Sequence, residues 1–445
     1  MAKIIVSAYS NVTWTKEQYH DSFVEGFIRA LRRCGNDVLA FNLRNINEEQ
    51  FGNSLRKDLI KEKVYKSIKE FSPDLIISFN NSLPGDQILE ITDCPVAVYS
   101  ADVPMLYASR DMIKSKIERY YFLNTTHIIE AAVRDVFKPR DDHMFLFGQA
   151  TDMRKMDIPQ TKDIMYIGSL PNYSGTIINY FVAVDGNIED SEQKNKIKNN
   201  FFKAFDEMKE TDFTTDIMFD FPGWSVKPKM SNWAQYNAVC LAACTKKFAI
   251  LSELTEFDLE IHGYPWNWPH AMQYNYELFR CFDYNLSVTL EQNCKNFNKS
   301  KLALNLPNAT EKEGFSWRVA DILATNAVLL TKKSKTLEEM FYGYIDFPMY
   351  ESASDAKVLA RKLLNDKNWR DELVLASNQM IEDKCRFESK FRDMESMLGL
   401  SLINENGNGT MADFVPEYKK PSVWYRAYKL MGRIYALPLS LMQKK

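Results

Sequence analysis

Apolar runs of strand length alternate with helical stripes from the first residues of the chain. KIIVSAY (3–9) is an apolar run, followed by Phe23, Phe27 and Leu31 on one helical stripe with Val24 and Ile28 beside it, and Gly35 supplies the stop. DVLAFNL (37–43) reads as a second strand, a charged helix spans about 54–71, and DLIISF (74–79) and VAVYSAD (96–102) follow Pro73 and Pro95. RYYFLN (119–124) and MFLFGQA (144–150) complete this first alternation. Near-continuously apolar strands separated by helices predict a parallel sheet covered on both faces. The G-x-G-x-x-G fingerprint does not occur, so this Rossmann-like unit gives no sign of a dinucleotide cofactor.

A second alternation opens at DIMYIGSL (163–170) and is interrupted by about eighty residues, roughly 175–255, rich in Lys, Asn, Phe and Trp and helical in pattern. It resumes with FDLEIHGYPW (257–266), SKLALNLPN (300–308), EGFSWRVADILATNAVLLT (313–331) and FPMYES (347–352), and a polar helix pair covers about 353–397. The expected organisation is a Rossmann-like unit over 1–155, a second over 156–397 with a helical insertion, and a loop with a basic aromatic tail over 398–445. Ligands are expected at the carboxyl ends of the strands, in the cleft between the two doubly wound units.

Composition narrows the function classes. A length of 445 residues fits two or three domains, and 45% hydrophobic with 26% charged residues describes an ordinary globular chain. The net charge of −3 leaves no electrostatic footprint for nucleic acid. Seven cysteines without a CxxC pair read as reduced thiols, and no set of Cys and His has the spacing of a zinc site. The N-terminus reads as a strand rather than a signal peptide, and no stretch reaches the ~18 apolar residues of a membrane span. A cytoplasmic protein is expected.

Within EGFSWRVADILATNAVLLT, Ser316 is placed to cap a helix starting at Trp317, whose free N–H groups would favour an anion. Arg318 in the first turn opposes the helix dipole unless an anion compensates it, as a diphosphate would. Asp321 one turn on is suited to two adjacent hydroxyls such as those of a ribose, and Gly314 allows close backbone approach. The same charges equally fit a solvated helix start with an Arg318–Asp321 pair.

The stretch resembles the donor-site signature of GT-B glycosyltransferases, in which E-G-F-G is followed by a second Glu. Glu313 and Asp321, with seven residues between them, reproduce that spacing with Asp for the second Glu, and ILATNAVLLT is similar to the small-residue segment that follows, with Asn326 where Gly is usual. The C-terminal half also resembles CgeB-type and group 1 glycosyltransferases. Their pattern is met by Ser300, Lys301 and Asn305, then Arg318 and Asp321, then Leu337 and Phe341, with GQATDM (148–153) and YIGSL (166–170) similar at the domain junction. The resemblance implies a nucleotide-sugar donor site on the second unit. Asp321 would hold the ribose, Arg318 and the helix start the diphosphate, and Glu313 the sugar hydroxyls. Gly168 and Ser169 would admit the diphosphate, Asn305 belongs to the same donor pattern, and His262 and Gly263 would border the base or phosphate. Diphosphate charge in such a fold is met by Arg and backbone amides, so no metal and no cofactor beyond the donor substrate are expected.

Three further places remain. Asp102, after the strand 96–102, is suited to deprotonating an acceptor hydroxyl, and is equally suited to capping its own turn. His20, before Asp21, is placed for the acceptor side or as an exposed cap, and PWNWPH (265–270) could stack a base or pack a turn. The tail 422–442 combines Trp424, Tyr425, Tyr428 and Ile434 with Arg426, Lys429 and Arg433, which suits an interfacial helix on an anionic membrane as well as packing on the first unit. The expected function is transfer of a sugar from a nucleotide-sugar to a glycan or lipid-linked acceptor in cell-envelope polysaccharide synthesis, at the inner face of the membrane, with no nucleic acid. A nucleotide-sugar epimerase of GT-B architecture and a non-catalytic sugar-binding module are the alternatives.

Overall fold

The structure, a computed structural model, describes residues 1–9, 20–43, 54–85, 87–168, 186, 188–210, 230–263, 275–283, 287, 289–307, 314–404 and 407–414. For 54–60, 105, 204–205, 207–210, 230–240 and 242 it describes the backbone alone. Eleven strands among them form two sheets, and every pairing is parallel. The first holds β1 (Lys3–Ala8), β2 (Asp37–Asn42), β3 (Leu75–Phe79), β4 (Val96–Ser100), β5 (Tyr120–Asn124), β6 (Met144–Leu146) and β11 (Met411–Asp413), in the order β11-β2-β1-β3-β4-β5-β6. The second holds β7 (Lys162–Ile167), β8 (Leu259–His262), β9 (Ser300–Leu304) and β10 (Val328–Leu330), in the order β10-β9-β7-β8. These are the two doubly wound α/β units that the apolar runs predict.

The first sheet is covered on both faces, which is why its strands are apolar throughout. On one face α1 (Ser22–Arg33) buries Phe23, Phe27, Ile28 and Leu31. On the other, α2 (Ser54–Phe71) and α3 (His127–Phe137) close a second cluster around Ile5, Phe41 and Phe122. In the insertion, α4 (Ser191–Glu210) and α5 (Met230–Glu253) lie together as a helix pair. Next come α6 (Leu290–Asn298), capped by a reciprocal Thr289–Gln292 box, and the short α7 (Trp317–Leu323). Then α8 (Ala353–Asn365) and α9 (Lys367–Lys384) add to the second core, and α10 (Phe387–Leu398) crosses back to the first sheet.

That return is a difference from the sequence reading. Phe387, Phe391, Met394 and Leu398 of α10 are buried with α1 in the first core. Residues 401–415, expected as a surface loop, contain β11, which pairs with β2 through Ala412↔Leu39. The strand is held by its ends: Asp37 accepts from the Thr410 amide at 2.8 Å and hydroxyl at 2.6 Å, and Phe414 stacks on Phe41 at 5.1 Å. FPMYES (347–352), expected as a strand, forms only a single bridge, Tyr350 to Lys332. Among the described residues, no helix is long and apolar enough to cross a membrane, and the described cysteine side chains are free thiols. The tail 415–445 and PWNWPH lie outside the described residues.

The chain passes between the sheets twice, and the two passages are tied together. The Thr151 amide donates to the Cys385 carbonyl at 3.0 Å, and buried Arg386 donates to the carbonyls of Thr151 and Met153 at 3.2 and 2.6 Å. Asn326, at the turn before β10, donates to the Met156 carbonyl at 2.5 Å, so the polar side chain at this turn anchors the first passage.

Candidate functional site

Strand order fixes where ligands are expected. In the second sheet β7 lies between β8 and β9, so the connections leaving β7 and β9 diverge and leave a crevice at their carboxyl ends. In the first sheet β1, between β2 and β3, plays the same part. The two sheets meet at these ends. Trp317, first residue of α7, stacks on Phe23 of α1 with ring centroids 4.8 Å apart. Gly314, at a φ of 77° that favours glycine, leaves room for Thr126 after β5: a Cβ there would lie 2.8 Å from its methyl.

In the second crevice, Arg318 donates through Nε to the Ile167 carbonyl at 2.7 Å and through Nη1 to Asn305 Oδ1 at 3.4 Å. Its guanidinium carbon lies 5.9 Å from the Tyr166 ring centroid. Two of the five N–H groups of the fork are thereby engaged at the ends of β7 and β9. Gly168 lies beside it: a Cβ at 168 would fall 2.6 Å from the Tyr166 hydroxyl and 3.3 Å from Arg318 Nη2. Asn305 is buried and central, donating to Thr331 Oγ1 at 3.2 Å and accepting from Ser316 Oγ at 3.3 Å. Ser316 stands at the N-cap of α7 as expected, but its hydroxyl makes no capping bond and donates instead to Asn305.

Asp321 is 5% exposed and accepts a 2.5 Å hydrogen bond from Thr151 Oγ1 in the first passage. Burial pushes its carboxyl up to about 7; the Thr151 bond and Arg318 oppose this, and the charges of Asp21 and Asp152 add to it. Asp321 therefore lies at the junction of the two units, where a ribose would have to displace Thr151.

His262 ends β8 and is buried. Its carbonyl accepts from the Gly168 amide at 2.9 Å, and its ring Nε2 meets Glu260 Oε1 at 2.8 Å. Burial opposes ionisation of Glu260, but hydrogen bonds from His262 and Lys299 hold its carboxyl down at about 2. Asp283 offers a third ligand atom beside the Glu260 oxygen and the His262 nitrogen, the three lying within 4.8 Å of one another. Lys162 and Lys299 already neutralise Glu260, so the group reads as an ionic network supporting the strand ends. Gly263 follows half-buried, while Glu313 and Ser169 lie outside the described residues.

On the first unit, Asp102 follows β4. Asn80, in the left-handed region at a φ of 49°, donates to Asp102 Oδ2 at 2.7 Å and accepts from the amides of Ala101 and Asp102. Solvent reaches the side chain, yet enclosure by the surrounding loop raises the carboxyl and the Asn80 bond offsets part of that. His20 is buried rather than an exposed cap, and its Nε2 lies 2.9 Å from Asp413 Oδ1 of β11. Asp21 caps α1 by accepting from the Phe23 amide at 3.2 Å, and its carboxyl is raised by burial against the pull of that bond, Arg318 and His20.

The structure thus brings Gly168, Asn305, Arg318 and the His262 carbonyl together, and puts Asp321 behind them and Asp102 and His20 on the opposite unit. Sequence reasoning missed Tyr166, Thr151, Asn80 and Asp413. Only the Asn80–Asn81 pair after a strand carried a signal, since Asn tolerates the left-handed conformation both adopt.

Residues 247–396 match a family model described as glycosyl transferase-like. No curated protein sequence matches the chain. Among solved structures the chain is similar to a glycosyltransferase from Rickettsia africae ESF-5, at 9% identity and a TM-score of 0.47, over 91% of this chain and 99% of that one. It is similar to BGT of T4 phage in complex with its UDP-glucose substrate, at 10% identity and a TM-score of 0.48, over 89% and 99%. It is also similar to Anabaena HepE in complex with UDP, at 10% identity and a TM-score of 0.46, again over 89% and 99%. The family match spans Asn305, Arg318 and Asp321, so the glycosyltransferase resemblance of the second half of the chain stands.

Proposed function

We propose that the protein is a glycosyltransferase that binds a nucleoside-diphosphate sugar at the carboxyl ends of β7 and β9 and transfers the sugar to a hydroxyl of a glycan or lipid-linked acceptor. The observation that carries this reading is Arg318. Its guanidinium is fixed from behind by the Ile167 carbonyl and Asn305, beside a glycine, in the part of the chain that matches the family. A cation held this way keeps N–H groups for a diphosphate without first ordering a long side chain. Departure of the nucleoside diphosphate leaves negative charge on the leaving oxygen, and Arg318 is the group positioned to stabilise it. In this reading the arginine suffices and no metal is required. The acceptor approaches from the first unit, and synthesis of an envelope polysaccharide is the process this chemistry suits.

The test is thermal denaturation against UDP, GDP, ADP, dTDP and their hexose conjugates. A ligand at a hundred times its Kd stabilises the native state by about 2.7 kcal/mol. At least one conjugate should raise Tm in the native protein, and Arg318→Ala should remove most of that rise while keeping its own unliganded transition. If no nucleotide or conjugate raises Tm, the reading fails.

A further inference from the structure

The turn around α7 meets the first unit and its outgoing passage at three points, and the carboxyl of Asp321 is enclosed there. Trp317 stacks on Phe23, Gly314 lies against the Thr126 methyl, and Asp321 accepts from the Thr151 hydroxyl at 2.5 Å. Thr151 is itself fixed. Its hydroxyl accepts from the Met153 amide at 3.0 Å, and its carbonyl accepts from Arg386. One hydroxyl is a poor exchange for the water around a carboxylate, which has about four lone-pair sites.

A second buried carboxyl belongs to the other unit. Asp21 caps α1 two residues before Phe23, and its charge acts on Asp321 together with that of Asp152. Arg318 opposes them, but its guanidinium is turned to the Ile167 carbonyl and Asn305. Asp152 is paired with Arg33 of α1, which also holds Glu388 of α10, and His20 acts on Asp21. From the remaining neighbours of α7, α6 brings the Cys294 thiol, raised by burial and by the Asp321 charge. The α9 side brings the neutral Asn378, which donates to the Leu323 and Thr325 carbonyls at 2.8 and 3.0 Å. An ionised Asp321 is therefore a desolvated carboxylate set among like charges, and parting α7 from α1 returns it to water.

We propose that Asp321 is a proton-operated latch between the two units: as a neutral acid it lets α7 lie against α1 and the first passage, and as a carboxylate it drives α7 away from them. The crevices of both sheets face this junction, so the latch sets access to them whatever ligand binds there. In the closed junction the carboxyl stands at about 7, against an ordinary 3.8, so closure and protonation favour each other. The closed-to-open ratio is highest below pH ~4, where both states are protonated. It falls as the open state ionises, and levels off above about 7, where both are ionised.

Hydrogen exchange of the full chain across this pH range, corrected for the intrinsic pH dependence of exchange, reads the ratio as protection of the α7 amides. In the native protein, protection of the peptide carrying residues 317–324 should fall about 50-fold from pH ~5 to pH ~7, then no more than about twofold to pH ~8.5. It should stay below that of β1, β3 and β4 throughout, because α7 opens without global unfolding. Asp321→Asn should make the α7 profile nearly flat. Two further variants keep the carboxyl and move the point of levelling in opposite directions. Thr151→Val removes a bond that holds the carboxyl down, so levelling should come at higher pH; Asp21→Asn removes a charge that pushes it up, so levelling should come at lower pH. A flat native profile, the native fall retained in Asp321→Asn, or α7 protection equal to that of the central strands would overturn the latch. If Asp321→Asn does not fold, the other two variants decide: opposite shifts support the latch, and any other pattern overturns it.

Discussion

Gly168 shows how one residue serves the candidate site. It follows β7, its amide bonds the His262 carbonyl, and the space where its side chain would be is taken by Tyr166 and approached by Arg318. Tyr166 is buried and cannot swing away, so Gly168→Ala should cost about 1–3 kcal/mol through overpacking. It should also weaken the ligand-induced rise in Tm, and an unchanged rise would detach Gly168 from the site. Asp321 makes a second prediction. Its folded-state pKa, about 7, stands above the ordinary 3.8, so the native state favours the protonated form. The associated stability is complete below pH ~4 and is lost as pH rises through about 7. Asp321→Asn should therefore be more stable than the native chain at pH 8, by up to ~4 kcal/mol at 1.36 kcal/mol per unit, and near parity at pH 4. Urea titrations at the two pH values check this; equal differences at both would refute it. Arg318 and Asn305 were legible because their motif is local. Thr151 as the partner of Asp321 was not, because the two are 170 residues apart and neither position has a charge pattern pointing to the other.

At the scale of elements, long apolar strands were legible and short end-anchored ones were not. β1 to β5 are five or six residues each and nearly all buried, so periodicity sufficed. β11 is three residues, MAD, with two of them exposed, and it is specified by what flanks it: Thr410 on Asp37 and Phe414 on Phe41. Such a strand has no signature of its own, whereas FPMYES had a pattern but found only one bridge. A chain ending at Phe414 should keep β11, whereas one ending at Asn404 uncovers the edge of β2. The shorter chain should melt lower by roughly 2–4 °C or more, the shift expected for the loss of about 1 kcal/mol, and should aggregate more readily. Equal Tm values in the two truncations would mean that β11 adds nothing to the first sheet.

At the scale of the molecule, the two units are joined by contacts that the alternation of strands and helices does not encode. Phe23 on Trp317, Thr126 against Gly314 and Thr151 on Asp321 each link a residue of one unit or its outgoing passage to the turn around α7. Arg386 fastens the two passages, with its guanidinium buried among carbonyls and paired with Glu382 at 2.5 Å. Arg386→Ala would leave those carbonyls unsatisfied, a loss of about 1–3 kcal/mol. Calorimetry should then show the unfolding transition broaden or split as the units uncouple; a single transition of native width would place the coupling elsewhere.

In the proposed function a nucleotide sugar lies at the carboxyl ends of β7 and β9. Photocrosslinking of a 5-azido-uracil UDP-sugar or an 8-azido-adenine ADP-sugar, whichever raises Tm, followed by peptide mapping, tests it most directly. Label should appear in the peptides containing Gly168, His262 and Asn305 to Arg318, competed away by the unmodified conjugate and lost in Arg318→Ala. Competed label confined to the loops after β1, β3 and β4 of the first sheet would contradict it.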